Sequence, residues 1–167
     1  MTDAPPVLDR EHPDDGAVVE ALIDRSFGPG RYVKTAERLR EGRAPRLDLS
    51  FVARDAGAVV GCVRLYDIFV GNAPALLLGP FAVAPSHRSR GLGAALIRQA
   101  CAAAKRDGHG VVLLVGDETY FAALGFEAAP AAGVVLPGPV DQKRVLALAL
   151  KRGATDNLHG LVAAGRP

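Results

Sequence analysis

Apolar runs and the polar breaks between them divide the chain into a short succession of elements. Leu76-Leu77-Leu78 with Phe81-Ala82-Val83 reads as one buried strand and Val111–Val115 as another. Between them, Leu92, Leu96, Ala100 and Ala103 recur on one face of a helix from Gly91 to about Asp107, with Arg98 and Lys105 on the other. Strand, loop, helix and strand make a βαβ unit. Upstream, Val7–Arg10 is a candidate edge strand. Val18, Val19, Leu22 and Ile23 have helical spacing behind Asp14-Asp15, whose charge suits a helix start. Glycine and proline at Phe27-Gly28-Pro29-Gly30 stop that helix, and a second short one is predicted over about Val33–Glu41. Leu47–Arg54 and Ala58–Val70 read as strands joined by the hairpin turn Asp55-Ala56-Gly57, with a bend at Gly61. Gly71-Asn72-Ala73-Pro74 turns the chain into the Leu76 strand. Gly79-Pro80 interrupts that strand, and because proline cannot donate to a ladder, a bulge or unpaired edge is expected there.

Beyond Phe126 the chain is a loop rich in alanine, glycine and proline to Pro139, with one short strand at Val134–Leu136. Val145–Leu150 returns as a last strand, and Gly153, Gly160 and Gly165 among small residues suggest a mobile tail. The expected architecture is a mixed α/β domain over residues 1–152, with a central, largely antiparallel sheet and one parallel step. Residues 153–167 form the expected tail.

The chemistry concentrates in the loop Pro85-Ser86-His87-Arg88-Ser89-Arg90-Gly91-Leu92-Gly93-Ala94. It leads into a helix whose first N–H groups have no intrahelical partner and whose dipole makes that end partly positive. Gly91 and Gly93 let a ligand approach the backbone, and Arg88 and Arg90 add forked cationic donors. An anionic ligand is implied, and a pyrophosphate fits best. Composition narrows the rest. Of the 167 residues 49% are hydrophobic and 23% charged, a globular balance. The net charge of +2 and the absence of Trp give no support to a nucleic-acid partner. Cys62 and Cys101 lack metal spacing, so no metal is expected, and small buried hydrophobes in a reducing compartment are their expected role. No signal peptide or membrane-length apolar run is visible, which makes the cytoplasm the expected compartment and leaves out a membrane partner.

Arg88-Ser89-Arg90-Gly91-Leu92-Gly93 matches the Q/R-x-x-G-x-G/A signature, and Tyr120-Phe121-Ala122-Ala123-Leu124-Gly125-Phe126 the second conserved block, of GNAT-superfamily N-acetyltransferases. The chain resembles that family over roughly residues 5–152. Gly116-Asp117-Glu118-Thr119-Tyr120-Phe121 is most similar to its YhbS-like subgroup of predicted acetyltransferases. The resemblance implies a splayed pair of parallel strands, the fourth and fifth of the sheet, with the acyl-pantetheine arm in the gap. The arm would bond to strand backbone near Phe81 and Val83, and the backbone of Arg90, Gly91, Leu92, Gly93 and Ala94, helped by Arg88, would hold the pyrophosphate. It implies acetyl-CoA as cosubstrate and a small-molecule or peptide amine as acceptor, attacked directly in a ternary complex, and it allows a homodimer.

The family's usual acid is a tyrosine five residues before the closing Phe126, a position held here by Phe121, with Tyr120 one residue earlier. Three explanations stand: Tyr120 substitutes from an altered pose, water protonates the thiolate, or catalysis is weak. Asp117 and Glu118 sit just past a strand end, where they serve either a site or the cap of the next helix. The basic stretch Arg31, Lys34, Arg38, Arg40 and Arg43 reads as a solvated face. In the resemblance it belongs to the acceptor wall and favours an acidic acceptor. Two rivals remain: a non-catalytic acyl-CoA sensor, and a dinucleotide-binding oxidoreductase, which Leu96 in place of a third glycine disfavours.

Overall fold

The computed structural model describes residues 4–166. Its eight-stranded sheet runs in the order β1 (Val7–Arg10), β2 (Phe51–Asp55), β3 (Ala58–Val70), β4 (Ala73–Val83), β5 (Val111–Val115) and β7 (Val145–Ala149). Two further strands, β6 (Gly133–Val135) and β8 (His159–Ala163), pair with each other in parallel, and β8 also extends β3 antiparallel. Along the main path every pairing is antiparallel except β4 with β5. Helices α1 (Gly16–Phe27), α2 (Thr35–Arg40), α3 (Leu92–Arg106) and α4 (Glu118–Phe121) flank the sheet.

Both faces of the central strands are covered, which is why they read as continuous apolar runs rather than alternating ones. Leu76, Leu78, Val112 and Leu114 turn to the α3 side, where Leu96, Ile97, Ala100 and Ala104 bury against them. Ala75, Leu77, Val111 and Leu113 face the opposite side with Ile68, Val134, Leu158 and Val162. There Val19, Leu22 and Ile23 of α1 also cover Val52, Cys62 and Ala82. Ala56 and Gly57 both take positive φ (48° and 82°), the requirement of a two-residue hairpin turn that follows the strand twist. At Gly61 the β2–β3 register shifts, and a Cβ there would stand 2.9 Å from Leu96 Cδ1. The glycine is what lets α3 sit close to the sheet.

The break at Gly79-Pro80 is a bulge. Val63 pairs with Phe81 but Leu65 with Leu78, so three steps along β4 match two along β3. The parallel ladder joins Leu76 to Val112 and Leu77 to Leu113 and goes no further among the described residues. Past that point β4 and β5 part.

Three expectations need correction. The strand foreseen at Leu47–Arg54 begins at Phe51, because Arg46 and Leu49 form a turn whose amides bond to Leu65 and Arg46 carbonyls. The second helix is shorter than Val33–Glu41, since a 3₁₀ turn over Pro29–Val33 occupies its approach. The supposed tail contains β8, held by buried Leu158 and Val162 and by Gly160, whose missing side chain lets its backbone abut Gly71.

Candidate active site

The loop expected to hold an anion ends at Gly91, in the left-handed region, with no side chain capping the helix that follows. The N–H groups of Leu92, Gly93 and Ala94 precede the first α-helical bond, from the Ala95 amide to the Gly91 carbonyl at 3.0 Å. Above them lies a cavity of about 620 Å³ lined by Ala82, Val83, His87, Arg88, Ser89, Gly91, Leu92, Gly93 and Ala94 with Ser26, Phe27, Phe81 and Tyr120. Arg88 folds back so that its Nε donates to the Val83 carbonyl at 2.9 Å, which fixes the guanidinium beside the groove. Ser89, a non-glycine at φ 63°, tightens the same turn. Arg90 is exposed and does not line the groove, so only its backbone belongs to the turn.

The β4 backbone faces the gap as the pairing requires. Ala84 donates its N–H to Val60 on the β3 side at 2.8 Å, so by alternation the peptide groups of Phe81 and Val83 turn toward the gap between β4 and β5.

A second cavity of about 490 Å³ opens where those strands part, lined by Gly79, Pro80, Leu114, Gly116 and Asp117 and by residues of α1, α2 and the Pro139–Arg144 loop. Phe27, Phe81 and Tyr120 line both cavities. Tyr120 is 45% exposed and lies parallel to Phe81 at 6.5 Å between ring centroids. Its hydroxyl comes within 3.3 Å of where a Gly93 Cβ would be. Phe121 is 5% exposed and sits edge-on to Phe81, Tyr120 and Phe126. The position that carries the acid in the resembling family is thus filled by a core aromatic, and the neighbouring phenol stands at the junction of the cavities.

The basic stretch is not one solvated face. Arg38 is exposed, but Arg31 is buried in a chain of ion pairs. Glu11 takes a forked bond from buried Arg64; Arg64 also reaches Glu20, Glu20 meets Arg31 at 2.8 Å, and Glu37 lies between Arg31 (3.7 Å) and Arg40 (2.8 Å). Burial pushes the Glu20 carboxyl up, but hydrogen bonds from Arg31 and Arg64 outweigh it and hold the group below its ordinary value. Arg43 donates to the Leu39 and Asp67 carbonyls.

The carboxylates beside the second block serve local structure. Asp117 accepts from the Thr119 amide, and Glu118 from the Ala128 amide. Burial pushes the Cys62 and Cys101 thiols up to about 12, so neither is a nucleophile near neutral pH. His109 pairs with Asp107 beyond the α3 end. Among the described residues no group of three His, Cys, Asp or Glu side chains could hold a metal ion, and no helix is long and apolar enough to cross a membrane.

Sequence reasoning missed His87, which lines the first cavity with Nε2 2.6 Å from Asp55 Oδ2 and Nδ1 2.7 Å from Ser86 Oγ. It also missed Glu37 and Arg144 in the second. His87 lay inside the motif loop and could have been weighed. Arg144 comes from a distant loop and carried no signal.

Residues 17–126 match the acetyltransferase (GNAT) family. The chain is 31% identical over 123 residues, 71% of its length and 67% of the relative's, to the uncharacterized N-acetyltransferase YjhQ of Escherichia coli strain K12. Its fold superposes with TM-score 0.81 on the GNAT family N-acetyltransferase YhbS from Escherichia coli in complex with CoA. That match has 26% identity and covers 98% of this chain and 92% of that one. A GNAT family acetyltransferase from Brucella melitensis in complex with acetyl-CoA gives 0.64 and 26%, covering 89% and 97%.

Proposed function

The chain belongs to the acetyltransferase (GNAT) family, and from that premise we propose that it moves the acetyl group of acetyl-CoA to an amine by direct attack in a ternary complex. The observation that carries the reading is the pair of cavities meeting at Phe81 and Tyr120, one over a bare helix N-terminus and one where β4 and β5 part. The amides of Leu92, Gly93 and Ala94, with the Arg88 guanidinium, would hold the cofactor pyrophosphate, as anions bind at helix N-termini. The peptide groups of Phe81 and Val83 would take the place of a missing strand and bond to the pantetheine amides. The acceptor would enter through the second cavity.

An ammonium acceptor gives up one proton to water before its nitrogen attacks the thioester carbon, and the nitrogen gives up a second to water as the amide forms. As the new C–N bond forms, the C–S bond breaks and the electron pair leaves on sulfur. Tyr120 is the side chain we assign to protonating that sulfur, because its phenol stands at the junction while Phe121 has no proton to give. Direct attack is favoured over an acyl-enzyme because the cysteines are buried and protonated.

The test measures melting-temperature shifts with acetyl-CoA, CoA, NAD and ATP, followed by thiol release with a panel of amines. Stabilisation by acetyl-CoA and CoA, with amine-dependent thiol release, is expected. Stabilisation without release by any amine would favour an acyl-CoA sensor. A shift with NAD alone would overturn the assignment.

A further inference from the structure

We infer that the acceptor is an amine bearing a carboxylate, of amino-acid size, with its carboxylate on Arg40; the inference rests on the acetyl-transfer reading. Arg40 ends the ion-pair chain at the wall of the second cavity. Its side chain is nine-tenths buried, its Nη2 donates to Glu37 at 2.8 Å, and its Nε is buried without a partner. Nη1 has no hydrogen-bond partner among the described residues and lies 3.5 Å from the position a Gly79 Cβ would occupy. A guanidinium held this way keeps Nη1 unused beside Gly79 at the cavity wall, and such a donor is a natural partner of a carboxylate.

The surroundings agree. Glu11, Glu20 and Glu37 alternate with Arg64, Arg31 and Arg40, Asp24 adds a further carboxylate on Arg31 at 3.0 Å, and the single carboxylate at Arg40 is shared with Arg31. Lys34 and Arg144 line the same cavity and form no ion pair with described residues. Asp117 and Asp141 also line it, each spending one oxygen on a backbone amide, Thr119 or Lys143. Cationic and anionic groups therefore share a cavity of about 490 Å³. An acceptor with both an amine and a carboxylate satisfies both, whereas a polyamine leaves Arg40 Nη1 without an acceptor.

The test uses the full-length protein with acetyl-CoA and matched acceptor sets: α-, β- and γ-amino acids, their carboxamides, the corresponding decarboxylated amines, and polyamines. Thiol release gives kcat/KM for each. In at least one set the carboxylate form should be preferred by about tenfold or more, the scale of one charged hydrogen bond. Arg40→Met should bring that ratio toward one, and Arg40→Lys should restore part of it. Should Arg40→Met fail to fold, Lys34→Gln and Arg144→Gln at exposed sites should each lower the ratio. Equal or faster turnover of amides, decarboxylated amines or polyamines overturns the proposal, as does a ratio unmoved by these variants. Acetyl-CoA stabilisation without turnover of any carboxylate overturns this proposal alone. No acetyl-CoA stabilisation overturns the acetyl-transfer reading and this proposal with it.

Discussion

Substituting Gly93 by alanine should raise the stability of the free protein and leave its hold on acetyl-CoA nearly unchanged. Gly93 has ordinary helical backbone in the first turn of α3, so alanine meets no conformational penalty. Its Cβ would stand 3.3 Å from the Tyr120 hydroxyl, 3.5 Å from Phe81 Cε2 and 3.6 Å from Val83 Cγ2. The tightest of these is to the free end of an exposed side chain that can give way. Helix propensity then favours alanine by up to about 1 kcal/mol. For a domain of this size that is a rise of roughly 2–4 °C in melting temperature.

The signature admits alanine at this position, and the added Cβ turns to the Tyr120, Phe81 and Val83 side chains, so it should leave the backbone amides open to the pyrophosphate. Losing one charged hydrogen bond costs about 1.5–3 kcal/mol, or roughly 10- to 100-fold in Kd. At acetyl-CoA near 100 times the wild-type Kd, the wild type gains about 2.7 kcal/mol on binding. The variant should gain nearly as much, whereas a methyl group that cost one such bond would cut the gain to about 0.4–1.4 kcal/mol. Thermal scans of both proteins, with and without acetyl-CoA, measure the two effects together. A ligand-induced shift in Gly93→Ala cut to that range would mean that the loop tolerates no side chain at Gly93, and its match to the Gly/Ala position of the signature would have to be abandoned.

Tyr120→Phe keeps the stacking on Phe81 and removes only the phenol; kcat should fall by about tenfold or more with the acetyl-CoA melting shift retained, and an unchanged kcat would assign the proton to water. Phe121→Ala should destabilise the fold by about 3–5 kcal/mol in denaturant titration, because it empties a buried aromatic site; a loss under 1 kcal/mol would contradict its place in the core. The Arg54 guanidinium, bonded to Asp15 at 3.0 and 2.7 Å, holds that carboxyl below its usual value against the burial that would raise it. A depressed folded-state pKa contributes stability above the unfolded value, about 4, that is lost as pH falls through the folded one. Asp15→Asn should therefore lower the melting temperature at pH 7, with the gap to wild type closing below about pH 4; parallel curves would refute the linkage.

How much of this was legible in the sequence depended on whether the signal was local. The βαβ unit, the Asp55-Ala56-Gly57 hairpin and the bulge at Gly79-Pro80 follow from periodicity and from the fixed constraints on glycine and proline, so they could be read residue by residue. The uncapped start of α3 after Gly91 was legible for the same reason, because glycines between a strand and an amphipathic run mark a helix N-terminus. Strand β8 was not, since His159–Ala163 is an ordinary stretch whose order comes from burial of Leu158 and Val162 and from the Gly71–Gly160 approach. The wall of the second cavity failed differently. Five cations in thirteen residues look solvated, and nothing near them announces that Glu11 and Arg64 will meet across fifty-three positions.

That wall also bears on why so costly an arrangement exists. A buried chain of ion pairs is weak evidence for stability, since apolar side chains of similar volume often serve as well or better. Its geometric consequence is specific. The chain ties the segment before α1 through β3 to α1, the Pro29–Val33 turn and α2, so Arg40 is fixed relative to the very sheet whose β4 edge forms the gap. An apolar wall would hold those elements together without orienting a guanidinium toward Gly79. The ion pairs therefore place one cation at a set position beside the gap, and Arg40 is where that arrangement would meet the proposed acceptor.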